Sequence, residues 1–300
     1  MLAVTILGNN SAVPAHGRHP TSQVIQTDYH KFLVDCGEGT QMQMTFYKIK
    51  PARINHIYIS HLHGDHYFGL IGLLTTMGLN NRKHDLHVYS PPGLKNILDL
   101  QFKAADANPS YSIHFHELTN EGIIFEDRRI QVECFKVRHR IECLGFIFRE
   151  KKNIRKIDPK KVAEHKVPAS FFESLQEGQD YISTMNEIIK NEVLTTPGNH
   201  PASYAYCADT SYFEPITEKI KDVDMVYHES TYLHALEEKA YLRFHSTSKQ
   251  AAMIAKKAGV KKLLLGHFSS MYDSIEDFKN EACEIFENTE CAYEGVCYLV

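Results

Sequence analysis

Short apolar runs alternate with amphipathic stretches along most of the 300 residues, and this alternation predicts strands interleaved with helices. Ala3 to Leu7 reads as a first strand. Val24 to Thr27 and Lys31 to Asp35 then form a hairpin turned at Tyr29-His30. The turn-rich Asp35-Cys-Gly-Glu-Gly-Thr40 opens a helix to about Lys48. Ile57-Tyr58-Ile59 is an apolar run, and Phe68, Leu70, Ile71 and Leu74 after it have helical spacing. Further strands are predicted at Leu86 to Tyr89, Tyr111 to Phe115, Ile130 to Val137, Cys143 to Phe148, Ser203 to Ala208, Asp224 to Tyr227 and Lys262 to Leu265. Helices are predicted at Pro92 to Ala105, at Ser248 to Ala258 closed by Gly259, and at about Ser274 to Phe286 capped by Asp273. An α/β layered fold follows.

Between two strand runs the pattern breaks, and Lys151 to about Ser203 reads as an excursion from the core. Asp158-Pro159 is a helix start, with Asp as N-cap and Pro at the first helical position. A second helix runs from Ala169 to Glu177 and stops at Gly178, whereas Tyr181 to Val193 fits helix and strand equally. The excursion opens on a basic run of Lys151, Lys152, Arg155, Lys156, Lys160, Lys161 and Lys166, countered only by Asp158 and Glu164. Such a run suits either a solvated helix face or a phosphate-rich partner.

A hydrophobic content of 43% in 300 residues allows one large core or two smaller domains fused at a cleft. A membrane span is not expected, since the longest apolar run, Tyr67 to Leu79, is short and broken by Gly69, Gly72 and two threonines. Met1 to Gly8 has no basic leader and reads as a strand, not a signal peptide. Seven cysteines without a CxxC pair argue against a disulfide framework and point to a reducing cytoplasm. A net charge of -4 does not advertise nucleic-acid binding, but local potential decides such contacts.

Ser60-His61-Leu62-His63-Gly64-Asp65-His66 changes the picture most. Positions i and i+2 of an extended chain point the same way, so His61 and His63 can grip one metal ion while the backbone is still strand-like. Gly64 permits the bend that turns Asp65 and His66 towards a second ion. Three more ligand-type residues follow predicted strands, where α/β folds collect functional groups: His139, Asp209 and His267. The resulting five imidazoles and two carboxylates suffice for two ions bridged by one carboxylate, most naturally Asp209. The set suits Zn(II), and Mn(II) or Fe(II) would also fit. His114 and His116 share the i, i+2 spacing without a third partner, and His30, His56, His84, His87, His165, His200 and His234 read as ordinary turn or surface residues.

Two bridged ions lower the pKa of a bound water to about 7, which implies a phosphodiester hydrolase. Glu229, in His228-Glu229, and His245 have the make-up of a general acid that protonates the departing oxygen, and equally that of a structural pair.

His61-Leu-His-Gly-Asp-His66 resembles the signature of the metallo-β-lactamase superfamily, which implies an αββα sandwich with the metals at one edge. Leu7-Gly-Asn-Asn-Ser-Ala-Val-Pro14, Asp35-Cys-Gly-Glu-Gly-Thr-Gln41, His228-Glu-Ser-Thr231, His245-Ser-Thr247 and His267-Phe-Ser-Ser270 resemble the motifs of the ribonuclease Z family, in its short, homodimeric form. The resemblance implies one zinc on His61, His63 and His139, a second on Asp65, His66 and His267, and Asp209 between them. It also implies Asp65 as general base and Glu229 with His245 as proton donor. The substrate implied is precursor tRNA, cut after the discriminator nucleotide to leave a 3′-hydroxyl.

Three positions depart from the family pattern. Pro14-Ala-His-Gly-Arg-His19 stands where members often have Pro-x-Lys-x-Arg-Asn, and Met271 stands where many have Arg. In the region of the family's tRNA-gripping arm, taken here as an insertion at about 151–203, only Val167-Pro-Ala-Ser170-Phe-Phe172 is similar. Two other readings therefore stand beside the first: a phosphodiesterase for a small diester such as a cyclic nucleotide, and a non-catalytic RNA-binding subunit.

Overall fold

The computed structural model describes residues 1–107, 109–151, 154–198 and 200–300. Two compact units emerge. The larger comprises Met1–Glu126, Gln131–Arg149 and Ala202–Val300, the smaller Asp127–Ile130 and Glu150–Pro201.

The larger unit is built on two seven-stranded sheets. The first runs, in spatial order, Cys297–Leu299, Ala3–Gly8, Ser22–Gln26, Lys31–Val34, Ile54–Tyr58, Leu86–Ser90 and Ile113–Glu117. The second runs Thr289–Cys291, Lys262–Gly266, Met225–Glu229, Ser203–Cys207, Leu144–Glu150, Ile130–Lys136 and Gly122–Glu126. Each joins a parallel stretch of four strands to an antiparallel one. Parallel strands must be covered on both faces, which is why Met225–Glu229 and Ser203–Cys207 are buried at every position.

Between the sheets lies an aromatic layer: Phe32 meets Phe148 at 5.4 Å between ring centroids, and Tyr58 meets Phe146 at 5.4 Å. Outside, Leu70, Leu73, Leu74 and Leu98 seal helices onto the first sheet, and Ala251, Ala252, Ile254 and Ala255 seal the helix Ser248–Ala258 onto the second. That helix begins with a capping box between Thr247 and Gln250 and ends at Gly259 in the left-handed region, as its sequence predicts. Helix, sheet, sheet, helix is the αββα sandwich.

Several sequence expectations need correction. The sequence pattern does not predict the strands Thr289–Cys291 and Cys297–Leu299, which are too short to show an alternation, nor Gly122–Glu126, a half-buried edge strand that opens on glycine. The last helix spans Glu276–Cys283 with Ile275 at its N-cap; Asp273 instead lies 3.1 Å from His16. His56 is no surface residue: it is buried on its strand, stacked on His87 at 5.2 Å and packed against Phe125 at 4.3 Å.

The smaller unit has a core of its own in Val162, Val167, Leu175, Tyr181 and Leu194. Asp158 caps the helix Pro159–Glu164 by accepting from the amides of Lys160 and Lys161. The ambiguous stretch resolves into paired strands, Tyr181–Ile182 with Ile188–Ile189, followed by a helical turn at Asn191–Leu194. The predicted 169–177 helix is a 3-10 turn, Ala169–Phe171, continued by Phe172–Gln176. Lys160 is exposed and Lys161 pairs with Glu164 at 3.0 Å, whereas Arg155 is held inside the unit by Thr195 Oγ1 at 2.7 Å. Lys151 and Lys156 are also exposed, and Lys152 lies outside the described residues.

Candidate metal centre

All seven ligand-type residues read from the sequence meet at one edge of the sandwich. His61 and His63 follow the strand Ile54–Tyr58, and His63 precedes a short helix, Gly64–Tyr67, that carries Asp65 and His66. His139, Asp209 and His267 arrive from the strands Ile130–Lys136, Ser203–Cys207 and Lys262–Gly266. Two ligand groups result, sharing one carboxylate: His61, His63, His139 and Asp209, then Asp65, His66, Asp209 and His267.

Donors held 2.0–2.1 Å from a tetrahedral zinc stand roughly 3.4 Å from one another. Here His63 Nδ1 lies 3.0 Å from His61 Nε2 and 3.1 Å from His139 Nε2, and Asp209 Oδ2 lies 3.6 Å from His61 Nε2. On the other side Asp209 Oδ1 is 3.4 Å from His66 Nε2 and 3.2 Å from His267 Nε2, while Asp65 Oδ2 is 3.5 Å and 3.4 Å from the same two nitrogens. Each Asp209 oxygen thus serves a different group.

The far ring nitrogens fix the tautomers. His66 Nδ1 donates to Asp35 Oδ2 at 2.8 Å, and His139 Nδ1 to the Phe244 carbonyl at 2.9 Å. The Ser60 hydroxyl donates to Asp35 and therefore accepts from His61 Nδ1 at 3.0 Å. Thr231 likewise donates to Glu229 Oε2 and accepts from His267 Nδ1 at 3.0 Å. In all four imidazoles Nε2 is the nitrogen aimed inward and the one left to ligate a metal. His66 Nε2 and Asp209 Oδ1 are buried without a hydrogen-bond partner, which a cation would supply.

Electrostatics agree. Burial, aided by the neighbouring imidazoles, pushes His61 well down and His63 down to about 4, so both are neutral donors at physiological pH. Burial would lower His66 too, but Asp209, Asp65 and Asp35 outweigh it and raise it well above the ordinary histidine value, the mark of an anionic pocket that suits a cation. Asp65 and Asp209 remain ionised despite burial because His66 and His267 face them.

Beside the ligands, Glu229 Oε1 accepts from His245 Nδ1 at 2.9 Å and from the amides of Thr210 and Ser246 at 3.0 Å each. Burial lowers the His245 imidazole, but Glu229 outweighs it and raises it to about 9. A charged imidazole therefore borders the same cleft of about 620 Å³ as Asp65, His63 and Asp209.

Sequence reasoning missed the residues behind the ligands. Asp35 accepts from Ser60 N at 2.7 Å, from Tyr206 Oη at 2.6 Å and from His66. Its position at the end of the strand Lys31–Val34 was the available signal, the same one that singled out Asp209. Asp35, Phe244 and His267 all have positive φ, at 55°, 59° and 59°, a strained backbone without glycine concentrated around one site. Ala12 N, from the first loop, donates to Asp65 Oδ2 at 2.8 Å. His114 and His116 are not gathered into a metal-ligand group: His114 faces Asp85 at 2.9 Å and His116 faces His87 at 3.0 Å.

Residues 2–158 match the family model of the anti-Pycsar protein Apyc1, and over this half the chain is a member of that family. The whole chain is 40% identical to ribonuclease Z of Bacteroides fragilis, an alignment covering 97% of each, and 41% identical to ribonuclease Z of Cytophaga hutchinsonii over 98% and 95%. The chain belongs to the ribonuclease Z family. Its fold matches the crystal structure of the short form of human tRNase Z with a TM-score of 0.72 at 24% identity, covering 99% and 98% of the two chains. The metallo-β-lactamase fold and the endoribonuclease class expected from the motifs therefore hold for this ribonuclease Z relative.

Proposed function

We propose that this ribonuclease Z family member removes the 3′ trailer of precursor tRNA by hydrolysing the phosphodiester after the discriminator nucleotide. The observation that carries the mechanism is Asp209, whose two oxygens face two separate groups of imidazoles. Two zinc ions fit the donor set: His61, His63 and His139 would hold one, Asp65, His66 and His267 the other, and Asp209 both. Ions held there supply a water activated at neutral pH and offset charge developing on the phosphate.

The chain's own groups do the rest. Asp65, anchored by the Ala12 amide and facing His66 and His267, orients the attacking water and accepts its proton. Glu229 fixes His245 through Nδ1 and keeps it charged, so its other nitrogen can protonate the departing oxygen. The buried hydroxyl of Thr231 and the amides around Glu229 hold that carboxylate in place.

The smaller unit, with Lys151, Lys156, Lys160 and Lys161 on it, is the candidate tRNA-gripping arm. A homodimer is supported by Met42, Phe46 and Leu79, strongly exposed apolar side chains on two helices that Gln41 and Thr76 tie together. A reducing cytoplasm is supported by seven cysteines, all free. No helix among the described residues is long and apolar enough to cross a membrane.

A small-diester phosphodiesterase is the second reading, since paired ligand groups that share Asp209 would serve any phosphodiester. Incubating the protein with a precursor bearing a 3′ trailer and mapping the new end tests the first. A single cut after the discriminator, lost in Asp65→Ala, is expected; an intact trailer beside rapid turnover of a cyclic nucleotide would favour the second.

A further inference from the structure

Two cationic side chains line the metal cleft, Arg140 and Arg243, and neither belongs to the ligands or to the proton donor. Arg140 follows the ligand His139, and Arg243 stands two residues before His245, so both are carried by the loops that bring those groups in. Both are exposed. We propose that Arg140 and Arg243 grip the RNA phosphates that flank the bond being cut, a role that rests on the endonuclease reading above.

Arg140 carries a second clue. Its Nη2 donates to His63 Nε2 at 3.0 Å, which requires a lone pair there. His63 presents its other nitrogen, Nδ1, to the metal group. Once Nδ1 ligates a cation, a neutral imidazole carries its proton on Nε2, and the contact with Arg140 becomes donor against donor. Metal loading thus releases the guanidinium from its protein partner and leaves its planar fork of donors for a phosphate in the same cleft. Arg243 has no such tie to a ligand, so its contribution is independent of the metal.

Arg140→Ala and Arg243→Ala should each weaken binding of mature tRNA, which cannot be cleaved, by about tenfold in the zinc-loaded protein. Each should lower the slope of log K against log salt by about 0.7 to 0.9. KM for precursor should rise by a similar factor, with kcat and turnover of a small chromogenic diester within about threefold, because a small diester has no neighbouring phosphates for these side chains to hold. Arg140→Lys should recover part of the salt slope. In zinc-stripped protein the Arg140→Ala loss should shrink towards unity while the Arg243→Ala loss persists. Unchanged affinity and slope in folded variants would overturn the proposal, as would a parallel fall in small-diester turnover, which would mean damage to the metal centre. An Arg140→Ala loss that is the same with and without zinc would overturn the release step. If the unsubstituted protein leaves the trailer intact, the endonuclease reading fails instead.

Discussion

Asp35 Oδ2 lies 2.8 Å from Nδ1 of His66, the imidazole whose other nitrogen faces both Asp65 and Asp209. Because the Ser60 hydroxyl donates to the same oxygen while accepting from His61, one buried carboxylate orients an imidazole in each ligand group. Asp35→Asn keeps the shape but can present an amide hydrogen where His66 needs an acceptor. Zinc affinity should fall 10- to 100-fold, the usual cost of losing such a partner, with activity falling alongside. Zinc titration against a competing chelator measures it.

The Glu229 and His245 pair predicts a different signature. His245→Ala should lower kcat for precursor by about 10²- to 10⁴-fold while zinc content stays at the unsubstituted level, since Glu229 and His245 belong to neither of the two groups that share Asp209 and meet only His267 in a third. In Glu229→Gln the imidazole loses the carboxylate that raises it. The alkaline limb of the kcat profile should therefore move to lower pH, and a full pH series on both proteins reads it out.

Removing the metal should destabilise the chain, and more so at high pH. At a hundredfold excess over its dissociation constant each ion adds about 2.7 kcal/mol, so stripping both should lower Tm by on the order of 10 °C. In the metal-free chain His66 is raised above its unfolded value, so its contribution is full below about pH 6.5 and fades as pH rises through the folded value. The gap in Tm between loaded and stripped protein should widen from pH 6 to pH 9, as differential scanning fluorimetry with and without chelator would show.

Gly266 precedes His267, and a methyl group there would sit 2.2 Å from the Tyr227 hydroxyl, in a ring stacked on Tyr206 and unable to swing away. Gly266→Ala should cost about 1–3 kcal/mol and shift His267, lowering zinc content as well as the denaturation midpoint.

In the smaller unit, reversing Lys160 and Lys161 to Glu should raise KM for precursor several-fold and leave the small-diester rate unchanged, because like charges then face the phosphates. Steady-state kinetics on both substrates check it.

The gathering of the candidate ligands was legible in the sequence because metal chemistry admits few residue types. His61, His63, Asp65 and His66 crowd one turn, and His139, Asp209 and His267 each follow a run that reads as a strand. What sat behind them was not legible, because a carbonyl such as that of Phe244 or a hydroxyl such as that of Thr231 has no signature in spacing. The edge strands Thr289–Cys291 and Cys297–Leu299 escaped for a related reason: three residues show no period, and their pairing depends on partners far away in the chain.

The candidate ligands come from distant parts of the chain, Asp65 and His267 being 202 residues apart in number. During synthesis the second seat has no complete set of donors until nearly the last strand has left the ribosome. A polypeptide cut short before His267 therefore lacks one donor of the second ligand group, and that group closes only once the C-terminal strands that carry it have been made.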